Sequence, residues 1–421
     1  MTDAVEPLAA TRAGQELKGW IEANWNPELS LVEWRTRLAD SGWACPTWPL
    51  AWCGRALPAA FADMVSDEIA RAGAVGVPDG VGMRLAAPTL LEHGSDDLKR
   101  RLIRSTVTGE ITWCQLFSEP GSGSDLAGLT TRAEPDGDEW VVNGQKVWTT
   151  SATHADYGLL AARTDWDVPK HQGITCFVIP MHQPGIEVRP LRQMNSHASF
   201  NEVYFDDARI PAANLVGEVD HGWAVALTTL AHERRYAIMG PPSARSRADG
   251  RAWREAAAER AVLYEPYKWY PQRAGRVDLV VDRAIATGTN TDPLIRQEIA
   301  GLIGMARTAT WTAQRDRVAR ALGRPPGPEG SLGKLAASNV ARAASRVHSL
   351  IAGASGMLTG ADSPLGGTIA EIFVSVPAVS IAGGTDEIQR NILGERVLGL
   401  PREPDASHQL PFRDVPTNAG G

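Results

Sequence analysis

Apolar residues in this chain change their spacing twice. Up to about residue 110 they recur three and four apart, from 111 to 218 they alternate, and after Gly222 the wider spacing returns and holds to about Leu398. The first spacing places one apolar stripe on a helix and the second one apolar face on a strand. The expected fold class is therefore α+β. It comprises an N-terminal helical domain (1–110), a central antiparallel β domain (111–218) and a C-terminal helical bundle (219–400). At 421 residues the chain is longer than the roughly 250–300 over which one core keeps growing, so several packed units are expected.

Within the first part, helices are predicted over Gln15–Asp40, Pro58–Ala72 and Thr89–Val107, with Leu31, Trp34 and Leu38 on one stripe and Phe61, Met64, Val65 and Ile69 on another. Gly42-Trp43-Ala44-Cys45-Pro46-Thr47-Trp48-Pro49 interrupts them, because proline removes a backbone donor and cannot continue a helix. In the second part, Asn143-Gly144 between alternating runs predicts a tight hairpin, since both turn residues of that type take positive φ. Further strands are predicted at Tyr157–Ala162, Gly173–Pro180, Ile186–Leu191 and Glu202–Phe205, and helices near 222–240, 293–321, 332–352 and 385–398. Two stretches depart from the pattern. Residues 241–275 carry Tyr264, Tyr267, Trp269 and Tyr270 close together and read as an insert, lying near a substrate entrance or subunit contact, or packing locally on its own helix. The tail, 401–421, has little to bury and reads as mobile.

With 43% hydrophobic and 22% charged residues and a net charge of -7, the chain is neither disordered nor built for nucleic acid or anionic lipid. Cys45, Cys53, Cys114 and Cys176 are scattered without metal-ligand spacing, so they read as reduced thiols and no metal site is expected. Without a leader pattern or an apolar run long enough to span a bilayer, the expectation is a cytoplasmic protein.

Four segments can carry chemistry. Ser118–Asp125 follows a strand, and its glycines allow a ligand close to the backbone; a plain turn explains it equally simply. Trp148 and Thr150 share a strand face suited to a flat heterocycle, or form an ordinary β surface. Glu233 lies with Ala226 and Leu230 on the apolar side of a helix, as a general base in a cavity or as half of a structural Glu–Arg pair with Arg234. Gly383-Gly384-Thr385-Asp386-Glu387 opens a helix with Thr385 as N-cap, an anion-binding geometry or a plain helix start.

In this order the segments resemble the acyl-CoA dehydrogenase family along most of the chain. Ser118–Asp125 is similar to that family's E-P-G-x-G-S-D loop, Val142–Thr150 to its flavin-facing strand, Gly384–Arg390 to its G-T-x-x-I-Q-R segment, and the Gly42–Pro49 loop to an N-terminal signature. The resemblance implies FAD contacted by Gln115, Phe117, Ser118, Gly123, Ser124, Trp148, Thr150, Thr385 and Glu387. It further implies an acyl-CoA contacted by Ser124, Arg234 and Gly384, with Glu233 as catalytic base. The implied reaction is α,β-dehydrogenation to a trans-2-enoyl-CoA, the α-proton going to Glu233 and the β-hydride to flavin N5. An electron-transfer flavoprotein or similar acceptor and a homodimer or homotetramer, with a heteromer as alternative, are implied as partners.

Two departures bear on these roles. Many relatives carry the base immediately before Gly384, where this chain has Gly383; others carry it in a Glu-Arg pair that Glu233-Arg234 resembles. The R-x-x-F-G segment that reaches the neighbouring subunit's FAD is missing, leaving Arg283 or Arg296 as substitutes or a different partner chain. A flavin oxidase or monooxygenase of the same fold, and a weakly active partner subunit, stand as alternative functions. Acyl-chain identity is set by pocket shape and is not legible here.

Overall fold

A computed structural model describes residues 5–236, 249–321, 327, 329–360, 362–404 and 407–416. The N-terminal domain contains α1 (Val5–Asn24), α2 (Leu31–Asp40), α3 (Phe61–Arg71), α4 (Ala87–His93) and α5 (Asp96–Thr108). Two long predicted helices are each broken in two. Pro27 follows α1, and Ser30 begins α2 by accepting the Glu33 N–H at 3.2 Å; Gly94 ends α4, and Ser95 caps α5 by accepting the Leu98 N–H at 3.1 Å. Such side-chain acceptors satisfy donors that a new helix start leaves unpaired. A π-helical turn over Gly82–Ala86 runs directly into α4.

The central strands are β1 (Trp113–Leu116), β2 (Arg132–Asp136), β3 (Glu139–Thr150), β4 (Tyr157–Arg163), β5 (Ile174–Pro180), β6 (Ile186–Leu191), β7 (Phe200–Pro211) and β8 (Leu215–Val216). They form one sheet in the order β6-β7-β3-β2-β4-β5-β8, mostly antiparallel, with β1 joining β4 in parallel. Asn143-Gly144 is not the hairpin turn. The β2–β3 turn lies at Gly137-Asp138, and β3 continues through Gly144, where the register against β7 shifts. Gly144 takes φ 147°, and a Cβ there would stand 2.8 Å from the Thr131 backbone, so the glycine serves a bulge.

One face of β4 and β5 (Leu159, Ala161, Cys176, Val178) packs on α4, α5 and the helix after the sheet; the other (Leu160, Ala162, Phe177, Ile179) packs on Val142, Val203 and Phe205. The C-terminal part comprises α6 (Gly222–Tyr236), α7 (Arg251–Tyr264), α8 (Tyr270–Arg273), α9 (Val280–Ala286), α10 (Pro293–Ala321), α11 (Glu329–Ala352), α12 (Thr368–Ser375) and α13 (Asp386–Arg396). Residues 241–248 of the expected insert, and 237–240 before it, lie outside those described. The rest is helical and joined to the N-terminal domain: Arg35 makes a forked ion pair with Glu259 at 2.5 and 2.9 Å, the Leu31 N–H donates to Glu255 at 2.7 Å, and Ala252 and Ala256 enter the core around Trp34 and Leu38.

The tail also departs from expectation. Residues 407–416 dock on the β domain, the Phe412 N–H donating to the Val168 carbonyl at 2.9 Å and the Arg413 N–H to the Trp166 carbonyl at 3.1 Å. The Phe412 ring is buried, 3.8 Å from the Arg163 guanidinium, and an aromatic face over a buried cation is reason enough for a polar segment to stay. Residues 417–421 lie outside the described part of the tail.

Candidate active site

Four elements meet at one place: the ends of β1 and β3, the C-terminal half of α6, and the row of aromatic residues after α7. On β1, Gln115 is half-buried and its amide donates to the Glu233 carboxylate at 3.4 Å. Glu233 is itself half-buried, on the side of α6 that buries Ala226, as the helical wheel requires. Tyr270 stands close enough to Glu233 to feel its charge, and Tyr267 packs edge-on against Tyr270 with ring centroids 4.8 Å apart. Trp269, between these tyrosines, donates from its indole to the hydroxyl of Ser199, the neighbour of Phe200 that pairs with Thr150, which brings the row back to the end of β3. Burial first, then the neighbouring Tyr270, pushes the Tyr267 phenol up to about 12, so it is neutral at any working pH.

Trp148 is 56% exposed and has φ 62°, a left-handed conformation that costs a bulky side chain energy. The shift of β3 register between Lys146 and Thr149 turns it outward, where its indole touches Phe200 edge-on at 5.8 Å. The hydroxyl of Thr149 beside it is buried without a partner among the described residues. A strained, exposed indole next to an unpaired hydroxyl fits a flat ring with polar edges. Gly121 and Gly123 in the preceding loop have nothing within 4 Å of where a Cβ would be, which leaves their backbone approachable. Ser124 is exposed, whereas the Phe117 side chain is buried in the core and can offer only backbone.

A buried ion pair holds this loop in place. Lys146, fully buried, donates from Nζ to the Phe117 carbonyl at 2.9 Å and to Glu119 at 2.8 Å. Glu119 also accepts the Thr130 N–H, the Thr130 hydroxyl and the Thr131 N–H at 2.7–2.8 Å. Burial alone would raise the Glu119 carboxyl, but Lys146 and these hydrogen bonds outweigh it and hold it at about 2. Lys146 is pulled below its ordinary value because burial outweighs the attraction of Glu119. Arg163, also buried and lowered by burial to about 10, donates to the Ala127 carbonyl at 2.5 Å and the Lys170 carbonyl at 2.8 Å. Glu119 and Lys146 fall inside the Ser118–Asp125 and Val142–Thr150 segments without having been singled out there, and Arg163 lies in no motif; the signal available was a lysine or arginine within a strand, which must be paired if buried.

The glycine pair before α13 forms a separate group. Gly383 and Gly384 take φ 69° and 84°, and the Thr385 hydroxyl accepts the Ile388 N–H at 3.2 Å as the expected N-cap. The carboxylate of this helix start that is buried is Asp386, paired with Arg342 at 2.7 Å and Lys334 at 3.1 Å on α11. Burial would raise it, but the Ser338, Lys334 and Arg342 hydrogen bonds hold it at about 2. Glu387 is exposed and pairs with Arg390 at 3.1 Å. Among the described residues the contacts of 383–387 run to α11 and α13, not to the Gln115–Glu233 group. The Arg234 side chain lies outside the described residues, and His232 pairs instead with Glu92 at 3.0 Å. Arg283 is not a free surface arginine: it is buried and donates to His348 Nδ1 at 2.9 Å, while Arg296 is exposed on α10. No group of metal-ligating side chains, and no helix long and apolar enough to cross a membrane, occurs among the described residues.

Comparisons with known proteins give the class to which this order of helical, sheet and helical parts belongs, an oxidoreductase acting on acyl-CoA. Family models match three successive stretches of the chain: "Acyl-CoA dehydrogenase, N-terminal domain" at residues 1–110, "middle domain" at 114–208 and "C-terminal domain" at 277–398. The chain belongs to the acyl-CoA dehydrogenase family, which is flavin-dependent. It is 35% identical over 411 residues to acyl-CoA dehydrogenase IpdE1 of Mycobacterium tuberculosis, covering 92% of this chain and 97% of the relative. Among solved structures it is similar to a variant of the Tcur3481-Tcur3483 steroid ACAD (26% identity, TM-score 0.64, 94% of this chain, 100% of that one). It is also similar to the ChsE4-ChsE5 complex of Mycobacterium tuberculosis (25% identity, TM-score 0.61, 94% and 98%).

Proposed function

We propose that the chain dehydrogenates an acyl-CoA at its α and β carbons, giving a trans-2-enoyl-CoA, with Glu233 as the base. The observation that carries this is the half-buried Glu233 carboxylate, reached by Gln115 at 3.4 Å and facing the Tyr267–Tyr270 row, which Trp269 ties to Ser199 beside the Thr150 end of β3. FAD would be held by Trp148, Thr150 and the backbone of the Ser118–Ser124 loop, with Thr385 and Glu387 at its other end, and when bound it supplies the acceptor for the β-hydride. The chain's own work is to take the α-proton at a Glu233 oxygen and to place the thioester. Backbone at Gly384, Ser124 and Arg234 are the groups proposed to hold the CoA ester, and donors aimed at its oxygen stabilise the charge that develops as the proton leaves.

The similarity to proteins titled as a steroid ACAD and as a two-chain complex supports a bulky, ring-bearing acyl group and a heteromeric assembly. The absence of R-x-x-F-G, with Arg283 committed to His348, agrees with a partner chain completing the flavin site. Electrons would leave to an electron-transfer flavoprotein or similar acceptor in the cytoplasm. The test is anaerobic titration of the purified flavoprotein, alone and with a co-expressed partner, with acyl-CoAs of different shapes. Bleaching of the visible flavin band by an acyl-CoA without oxygen supports dehydrogenation. Turnover that requires oxygen would point to the oxidase or monooxygenase, and no flavin under either condition to a non-catalytic subunit.

A further inference from the structure

We infer that Tyr267 and Tyr270 form the wall against which the acyl group lies, and that they select flat, fused-ring acyl groups over linear chains. The inference rests on the dehydrogenase reading and names its specificity residues.

The residues after α7 pack on one another and are also anchored to distant parts of the chain. Trp269 is 1% exposed, donates from its indole N–H to the Ser199 hydroxyl at 2.8 Å, and lies parallel to the His197 ring. That anchor fixes the row of tyrosines on either side of it. Tyr264 donates its hydroxyl to Asp79 at 2.6 Å, and Asp79 is in turn forked with Arg84 on the π-helical turn before α4. Tyr264 and Tyr267 are 6.3 Å apart between centroids, Tyr267 and Tyr270 4.8 Å. The row therefore runs from the Asp79–Arg84 pair, past the Ser199–Phe200 end of β7 beside Thr150, to Tyr270, which feels the charge of Glu233. A reacting α-carbon must lie at Glu233, so whatever is attached to it extends along these rings.

Rings held at fixed angles reward a rigid flat solute, which loses no internal rotation on binding, more than a flexible chain that must be ordered. The polar cluster of Tyr264, Asp79 and Arg84 at the far end suits an oxygen substituent on the outermost ring of such a group.

The test compares two substrates in the holoenzyme, co-expressed with a partner chain where assembly needs one: a fused-ring acyl-CoA and octanoyl-CoA. The readouts are kcat and KM with an artificial electron acceptor, flavin per subunit, and the Kd of each 2-enoyl-CoA product by calorimetry. In Tyr267→Ala and Tyr270→Ala the preference in kcat/KM for the fused-ring substrate should fall at least about tenfold, chiefly through its KM and product Kd, as losing a pocket contact does. Tyr267→Phe, which keeps the ring, should retain most of the preference, and it serves as the folded reference if an alanine variant is unstable. A ratio unchanged within about twofold in both alanine variants, a parent that prefers octanoyl-CoA, or a Tyr267→Phe variant as impaired as the alanine ones would overturn the assignment. A parent that oxidises neither substrate refutes the dehydrogenase reading itself.

Discussion

Replacing Lys146 by methionine removes the cation hydrogen-bonded to Glu119 and leaves Arg163 as a neighbouring charge with no hydrogen bond to that carboxylate. The pair is almost fully enclosed, with side chains 0% and 5% exposed, and the carboxylate also holds the Thr130 and Thr131 backbone, so it cannot turn to solvent without releasing the start of β2. Breaking one partner of a buried pair costs about 3–5 kcal/mol, because the other charge is left uncompensated. Removing both charges with Glu119→Gln and Lys146→Met together should cost less than the single variant, since no charge remains buried, although the amide keeps an acceptor oxygen for only one of the two threonine N–H groups. Urea unfolding of the apoprotein followed by tryptophan fluorescence measures the stability. Flavin retained after gel filtration measures the loop, and the single variant should lose flavin while the double variant keeps part of it. A single variant within about 1 kcal/mol of the parent, or a double variant as unstable as the single, would refute the argument from burial.

Glu119 and Asp386 are both held near 2, below their ordinary values of 4.5 and 3.8. Groups depressed in this way contribute stability that is complete above the ordinary value and lost as pH falls through the folded one, so resistance to urea should drop between about pH 4.5 and 2. Glu119→Gln should flatten that part of the profile, and an unchanged profile would show that Glu119 is not the titrating group. Phe412→Ala should release the docked tail and expose Arg163, costing about 3 kcal/mol by the general range for buried phenylalanine. Limited proteolysis should then cut near residues 405–415 at a low protease dose that leaves the parent intact; equal resistance would contradict the docking.

The three-part order was legible because its evidence is periodicity, which the packing of each domain enforces: β6 begins and ends where alternation does, at Ile186 and Leu191. Breaks that depend on one cap were less visible. Ser30 and Ser95 interrupt stripes that look continuous, since the apolar spacing survives across a short turn. Asn143-Gly144 misled for a related reason, because the positive φ that a turn needs is also what a bulge needs, and only the contact with Thr131 decides between them. The half-burial of Glu233 on the apolar side of α6 was readable from the helical spacing, whereas the positive φ that turns Trp148 outward was not. Tyr267 and Tyr270 were visible as a cluster whose place was not, since the bonds that place the row, Trp269 to Ser199 and Tyr264 to Asp79, join residues 70 and 185 positions apart. The composition of the tail spoke for mobility, and one phenylalanine over one buried arginine was enough to reverse it.

Glu233 as the base is the claim on which the functional reading depends, and stopped-flow reduction of the bound flavin tests it without a steady-state acceptor. Glu233→Gln should keep flavin content and acyl-CoA affinity close to the parent's while slowing anaerobic flavin reduction by about 10²–10⁴-fold, the usual contribution of a general base. A Glu233→Gln protein that reduces its flavin as fast as the parent, with a substrate the parent turns over, would contradict the assignment.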